Sequence, residues 1–210
     1  SYLAASSFVD HCVGRLLNAL AASKHADNTI VVLFSDHGWH LGEKERWAKR
    51  SLWEDATRVP LIVVTPDGKP ARCERPVGLI DVYPTLADLC GLPMDAAWEG
   101  QSLRRLLVQP DLEWERPAIT TFGPHNHAVR STEWRYIRYA DGSEELYDHR
   151  NDPHEWNNLA LDASYAKVIA EHARWLPETN LPAMMEVPSY GMKAYREAEA
   201  GRRKRAQAAK

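Results

Sequence analysis

A chain of 210 residues with 44% apolar and 26% charged side chains can bury a core and is too apolar to be disordered, which predicts one domain with a smaller appendage. A net charge of −3 supplies no basic field for a nucleic-acid partner. No run approaches the roughly 20 apolar residues of a membrane span.

The first predicted element is a helix, because Phe8, Cys12, Val13, Leu16, Leu17 and Leu20 form one apolar stripe at helical spacing. Asp27 and Asn28 then signal a turn, and Thr29 to Ser35 is a continuous β-branched and apolar run. Such a run suits a strand buried on both faces of a mostly parallel sheet. Val59 to Thr65 repeats that character and ends at Pro66-Asp67-Gly68, a turn. The segment between the two runs, residues 36–58, is rich in Trp and charge, and a connection of that length usually carries function. Asp81 to Cys90 reads as a short helix, with Pro84 tolerated near its start and Gly91 able to end it. This order is an α/β rhythm.

Near Pro110 the character changes. Ala118–Thr121, Ala128–Ser131, Trp134–Tyr139 and Glu145–Tyr147 are short strand-like pieces, and Ala140-Asp141-Gly142 is a hairpin signal. They predict a small antiparallel sheet, followed by a helix from Asp162, its cap, to Leu176. The expected division is a core over 1–110, a sheet-and-helix unit over 111–180 and a basic tail over 181–210, where Arg202, Arg203, Lys204 and Arg205 concentrate. Cys12, Cys73 and Cys90 match neither a disulfide framework nor a metal spacing and are expected as buried small apolar residues.

The segment with most chemistry is Phe34 to Lys49, Phe-Ser-Asp-His-Gly-Trp-His-Leu-Gly-Glu-Lys-Glu-Arg-Trp-Ala-Lys. Asp36 and His37 fall where a predicted strand stops, the place where open α/β sheets bind ligands. Gly38 lets the backbone turn or approach a neighbour closely. An Asp-His pair there either ligates a metal or caps the turn by hydrogen bonding. Lys49 either lies along apolar surface such as Trp47 or presents a fixed cation to an anionic substrate. His125 and His127, in Gly123-Pro-His-Asn-His-Ala-Val-Arg130, read as surface histidines at a strand start, with Asn126 between them. Arg58 and His40 are weaker candidates, and Arg58 has Glu54 and Asp55 within pairing range.

Taken together, Ser35 to Glu43, Trp47-Ala-Lys49 and Ala56-Thr-Arg-Val-Pro-Leu-Ile62 resemble the sulfatase family, in particular its iduronate-2-sulfatase-like and choline-sulfatase-like branches. Gly78-Leu-Ile-Asp-Val-Tyr-Pro-Thr-Leu86 resembles the family's D-x-x-P-T helix, and Glu145 to Leu159 its carboxyl-terminal signature. The resemblance runs in order over residues 1 to 176. It implies the carboxyl-terminal part of an alkaline-phosphatase-like core sheet, a small antiparallel sheet with a packed helix, and hydrolysis of sulfate esters of a carbohydrate or small alcohol. It further implies that Asp36 and His37 are ligands of a divalent cation, calcium in this family, with His37 shared between metal and sulfate. Lys49 corresponds to the sulfate-contacting lysine, and Asn126 and His127 to residues facing the substrate. The family's formylglycine nucleophile, made from Cys or Ser in a C/S-x-P-x-R motif, has no counterpart here. It is expected in an amino-terminal half outside this sequence, without which the chain would not turn over esters. A periplasmic or secreted location follows from family habit alone.

Overall fold

The computed structural model describes residues 1–181; most of the expected basic tail lies outside the described residues. The elements run in chain order as α1 (Tyr2–Ala21), β1 (Val31–Phe34), β2 (His40–Leu41), β3 (Trp47–Ala48), α2 (Glu54–Thr57), β4 (Leu61–Val64), α3 (Val82–Leu89) and α4 (Arg104–Val108). They continue as β5 (Ala118–Thr121), β6 (His127–Arg130), β7 (Trp134–Arg138), β8 (Glu144–Asp148) and α5 (Ala166–Ala173).

The two apolar runs do form strands, but they pair with each other antiparallel, Val31 opposite Val64 and Phe34 opposite Leu61. The expectation of a mostly parallel arrangement is corrected for the described residues. A continuous apolar run does not report strand direction; here the segment between the strands folds back on itself and returns the chain antiparallel. The cysteines also depart from expectation, since Cys73 and Cys90 are exposed and Cys12 is half-buried. Helix α1 forms as its spacing predicts, yet it buries no residue among those described, and Phe8 and Leu16 are exposed.

The D-x-x-P-T helix owes its signature to hydrogen bonding. The buried Asp81 carboxylate accepts from the Gly78 amide at 2.9 Å, the Gln101 amide at 2.8 Å and Arg116 at 3.1 Å. Thr85 donates its hydroxyl to the Asp81 carbonyl at 2.6 Å and accepts the Leu103 amide at 2.8 Å. Motif residues 81 and 85 therefore tie α3 to the chain before α4 and satisfy polar groups that burial would otherwise leave unpaired.

Strands β5 to β8 form a four-stranded antiparallel meander, as predicted. The hairpin at 140–142 closes with the Gly142 amide on the Tyr139 carbonyl at 3.0 Å, and Gly142 takes φ +84°. Side chains alternate across this sheet. Val129, Tyr136 and Leu146 face α5, against Val168, Ile169 and Ala173. Ala128, Ile137 and Tyr147 face the other way and pack on Leu52 and Trp53, just before α2. Asp162 caps the turn into α5 by accepting the Ser164 amide at 2.9 Å.

The face toward α2 also carries a buried ionic network. Arg135, 2% exposed, donates to Glu54 and to the Leu52 carbonyl, and its Nε lies 2.5 Å from Glu155 Oε1 without an aligned N–H. Arg130 adds a bond to Glu54 at 3.2 Å. His149 bridges the group: a guanidinium can only donate, so Nδ1 accepts from Arg130 at 2.9 Å and Nε2–H donates to Glu155 at 2.9 Å. Glu155 also accepts the Glu54 amide at 2.9 Å. Two carboxylates and two guanidiniums balance with a neutral imidazole between them.

Burial alone would push the Glu54 carboxyl up, but Arg135 and Arg130 outweigh it and hold it at about 2, against an ordinary value of 4.5. Because the folded value is depressed, the stability it contributes is complete above pH 4.5 and is lost as pH falls toward 2. Urea unfolding across that window should show a loss on the order of 3 kcal/mol, largely absent in Glu54→Gln. Arg135→Met, which leaves two buried carboxylates with only the Arg130 guanidinium to balance them, should cost about 3–5 kcal/mol in the same assay.

Candidate active site

Asp36 and His37 follow β1 directly, and Gly38 sets their position. Its amide donates to the Ala56 carbonyl and that of Trp39 to the Asp55 carbonyl, each at 2.8 Å. A Cβ at Gly38 would lie 2.0 Å from the Asp55 carbonyl oxygen. Only glycine lets this turn lie against α2, so the close approach allowed by the sequence is realised.

The loop through β2 and β3 brings Lys49 back to the same point. Ala48 and Arg50, on either side of Lys49, both have φ +74°, and Lys44 and Glu45 are also left-handed. Such conformations in non-glycine residues cost of order 1 kcal/mol or more each and persist only when surrounding contacts impose them. Lys44 supplies part of that anchoring, its ammonium lying 4.7 Å from the Trp53 ring centroid and 4.5 Å from that of Tyr147.

Lys49 Nζ reaches His37 Nε2 at 2.6 Å, and Asp36 Oδ2 is 3.5 Å from that same nitrogen. His37 Nδ1 is 2.8 Å from the Gly38 carbonyl. A carbonyl can only accept, so Nδ1 carries the proton and Nε2 offers its lone pair to the lysine. The Lys49 charge thus meets an imidazole rather than a carboxylate and is not neutralised by its partner. The Asp36 side chain is 81% exposed.

These residues line an open cleft whose lining also includes Arg58, Arg130 and Phe122. The small sheet does reach this cleft, through β5. His127 and Asn126 do not line it. Strand alternation puts His127 on the same face as Val129, where Nδ1 meets Thr121 Oγ1 and Nε2 meets Asn180 Oδ1, each at 2.9 Å. Asn126 spends its amide on the Pro124 carbonyl and the Ala140 amide, at 2.9 and 3.1 Å. Arg58 stands 3.9 Å from Glu54, as its sequence position suggests.

Asp36 and His37 suit a shared cation. Adjacent ligands of a divalent ion bound at about 2.4 Å stand roughly 3.4 Å apart, close to the 3.5 Å between Asp36 Oδ2 and His37 Nε2. A backbone-bonded Nδ1–H is the usual preparation of a ligating histidine, but the Nε2 lone pair is held here by Lys49 at 2.6 Å, so His37 becomes a ligand only when the ammonium leaves it. Two donors are part of a coordination shell.

Sequence reasoning missed the ionic network that backs this site. Glu155 stands inside the carboxyl-terminal signature, but nothing local marks it as buried or as the partner of Arg135.

Comparison with known proteins agrees with this architecture. The Sulfatase family model matches residues 1–92. A sulfatase of Formosa agariphila is 45% identical over 181 residues, covering 86% of this chain and 36% of that protein. A choline-sulfatase of Rhizobium meliloti is 35% identical over 168 residues, covering 76% and 32%. Among solved structures, a protein in complex with its substrate D-glucosamine-2-N,6-O-disulfate superposes with a TM-score of 0.72 at 30% identity, covering 82% of this chain and 38% of that one. A phosphonate monoester hydrolase of Agrobacterium radiobacter superposes with a TM-score of 0.69 at 26% identity, covering 79% and 38%. The fold is that of the carboxyl-terminal part of alkaline-phosphatase-like enzymes. The chain belongs to the sulfatase family and spans about a third of the length of the curated relatives it matches.

The packing at Gly38 is open to a direct check. Gly38→Ala should lower the thermal midpoint of the full protein by on the order of 5 °C or more, through overpacking against α2. Gly14→Ala, with nothing within 4 Å of the added Cβ in the middle of α1, should leave it unchanged or raise it slightly.

Proposed function

We propose that the complete protein is a metal-dependent sulfuric ester hydrolase acting on a sulfated carbohydrate or small alcohol. This chain supplies half of its site. The observation that carries the reading is the convergence of Asp36, His37 and Lys49, with His37 Nε2 at 2.6 Å from Lys49 Nζ and 3.5 Å from Asp36 Oδ2. Family membership and a structural relative holding a disulfated glucosamine support the substrate class.

Asp36 and His37 would hold the cation, calcium by the family's habit, which when bound offsets negative charge on the sulfuryl oxygens. Lys49 supplies a fixed positive charge toward those oxygens and the leaving oxygen, where charge accumulates as the ester bond breaks. Before the cation binds, His37 Nε2 accepts from the lysine and the ring is held by the Gly38 carbonyl; with the cation bound, that lone pair goes to the ion and the lysine turns to the sulfuryl oxygens. The formylglycine nucleophile and the remaining metal ligands belong to the amino-terminal part of the enzyme. On this reading the chain alone is inactive.

A second reading, hydrolysis of phosphoesters or phosphonates, is favoured by the comparable superposition on a phosphonate monoester hydrolase. Rates of the full protein on aryl sulfate and aryl phosphonate esters of one alcohol separate the two; faster phosphonate turnover overturns the first. In the full protein, Lys49→Ala should lower turnover of a sulfate ester by ~10²-fold or more. Retention of activity within about threefold would remove Lys49 from the site. Asp36→Ala should abolish stoichiometric calcium, read by metal analysis of the purified protein.

A further inference from the structure

Two groups of side chains among the described residues bring three potential ligand atoms within 4.8 Å of one another: Glu54, His149 and Glu155, and His40, Glu43 and Asp55. The first is already satisfied, its two carboxylates being matched by Arg130 and Arg135. The second is not. His40 is fully buried, and its Nδ1 is a buried polar atom with no hydrogen-bond partner. The nearest carboxylate oxygen to it, Asp55 Oδ2, stands 3.9 Å away, too far for a hydrogen bond. A buried unpaired ring nitrogen is costly, and native structures rarely keep one without a role.

The other ring nitrogen shows how this one is prepared. His40 Nε2 lies 2.7 Å from Ser51 Oγ. With Nε2–H donating to that hydroxyl, the Nδ1 lone pair points toward the carboxylates, the arrangement in which an outer hydrogen bond orients a ligating histidine. Glu43 is held in place by the Leu41 amide, which donates to Oε2 at 2.6 Å and leaves Oε1 available. The Asp55 side chain is partly exposed, with Oδ2 facing His40 Nδ1.

We propose that His40 Nδ1, Glu43 and Asp55 form a second cation site, separate from Asp36 and His37, that takes a divalent transition ion of the zinc class. One imidazole nitrogen and two carboxylates suit zinc, which takes nitrogen and oxygen ligands at about 2.0–2.2 Å and leaves a fourth position for water. Ligands of such an ion stand roughly 3.3 Å apart, so small rotations of the two carboxylates close the observed spacing. The ion would staple the start of the β2–β3 hairpin to α2. That hairpin carries Lys49 between two left-handed residues, and α2 is the surface on which Gly38 rests. The site thus acts as a structural clamp on the loop that positions the lysine, and it does not depend on the identity of the substrate.

The test is zinc binding to the full protein by equilibrium dialysis in calcium-saturated buffer, so that the Asp36 position is not in play. One zinc per protein is expected. Glu43→Gln and Asp55→Asn should each weaken it by more than the ~10- to 100-fold that loss of an outer-shell partner costs, while Asp36→Ala leaves it unchanged. These two carboxylates are partly exposed, so the variants keep the fold, which circular dichroism verifies; His40→Ala is less informative because its ring fills the interior. Absence of zinc binding overturns the proposal. So does binding that survives both carboxylate variants, or that disappears in Asp36→Ala.

Discussion

The pairing of Arg135 with Glu54 and Glu155 is the constraint on which the site rests. Arg135 is 2% exposed and Glu155 is 1% exposed, and either charge buried alone would cost several kcal/mol. The cost is offset only when β7, α2 and the loop after β8 meet in one geometry, since Glu54 lies 81 positions from Arg135 and 101 from Glu155, which accepts its amide. Glu155 sits at φ +60° to make that meeting, an unfavourable conformation for a side-chain-bearing residue. The network therefore ties the docking of these parts to one geometry.

From α2 the constraint passes to the chemistry by short contacts. The Asp55 and Ala56 carbonyls hold Gly38 and Trp39, and these hold Asp36 and His37 at the end of β1. Leu52 and Trp53 pack on the sheet through Ile137 and Tyr147, and Trp53 donates to Glu145 at 2.7 Å. Lys44 is sandwiched between Trp53 and Tyr147, so the loop carrying Lys49 is anchored to the small sheet rather than only to the strands it connects. A loop with this many left-handed residues needs such anchoring to keep one shape. The expected boundary near residue 110 is thus crossed by the contacts that shape the site.

Signals confined to a few residues were legible. The four strands of the meander, its Gly142 turn, the capped entry to α5 and helix α3 follow from alternation, turn chemistry and capping, each of which acts within a handful of positions. The apolar runs at 31–34 and 61–64 announced strands but not their antiparallel pairing, because direction depends on how the intervening segment returns. The cysteines were misread for a similar reason, since burial is a property of neighbours that composition does not contain. His127 looked as available as any histidine before a strand. Its registry opposite Thr121 decides which face it occupies.

What the sequence determined by itself was the family, the order of elements, and the presence of Asp36, His37 and Lys49 in one motif. It also carried the glycine at position 38 without which the turn and α2 collide. Only the tertiary structure decided that the lysine meets the imidazole on Nε2, that Arg135 balances two distant glutamates, and that His40 Nδ1 is left buried beside two carboxylates. The physical reason is the range of the interactions. Periodicity and turn preference are written in adjacent residues, whereas the pairing of a buried charge or the partner of a ring nitrogen exists only once remote segments have packed.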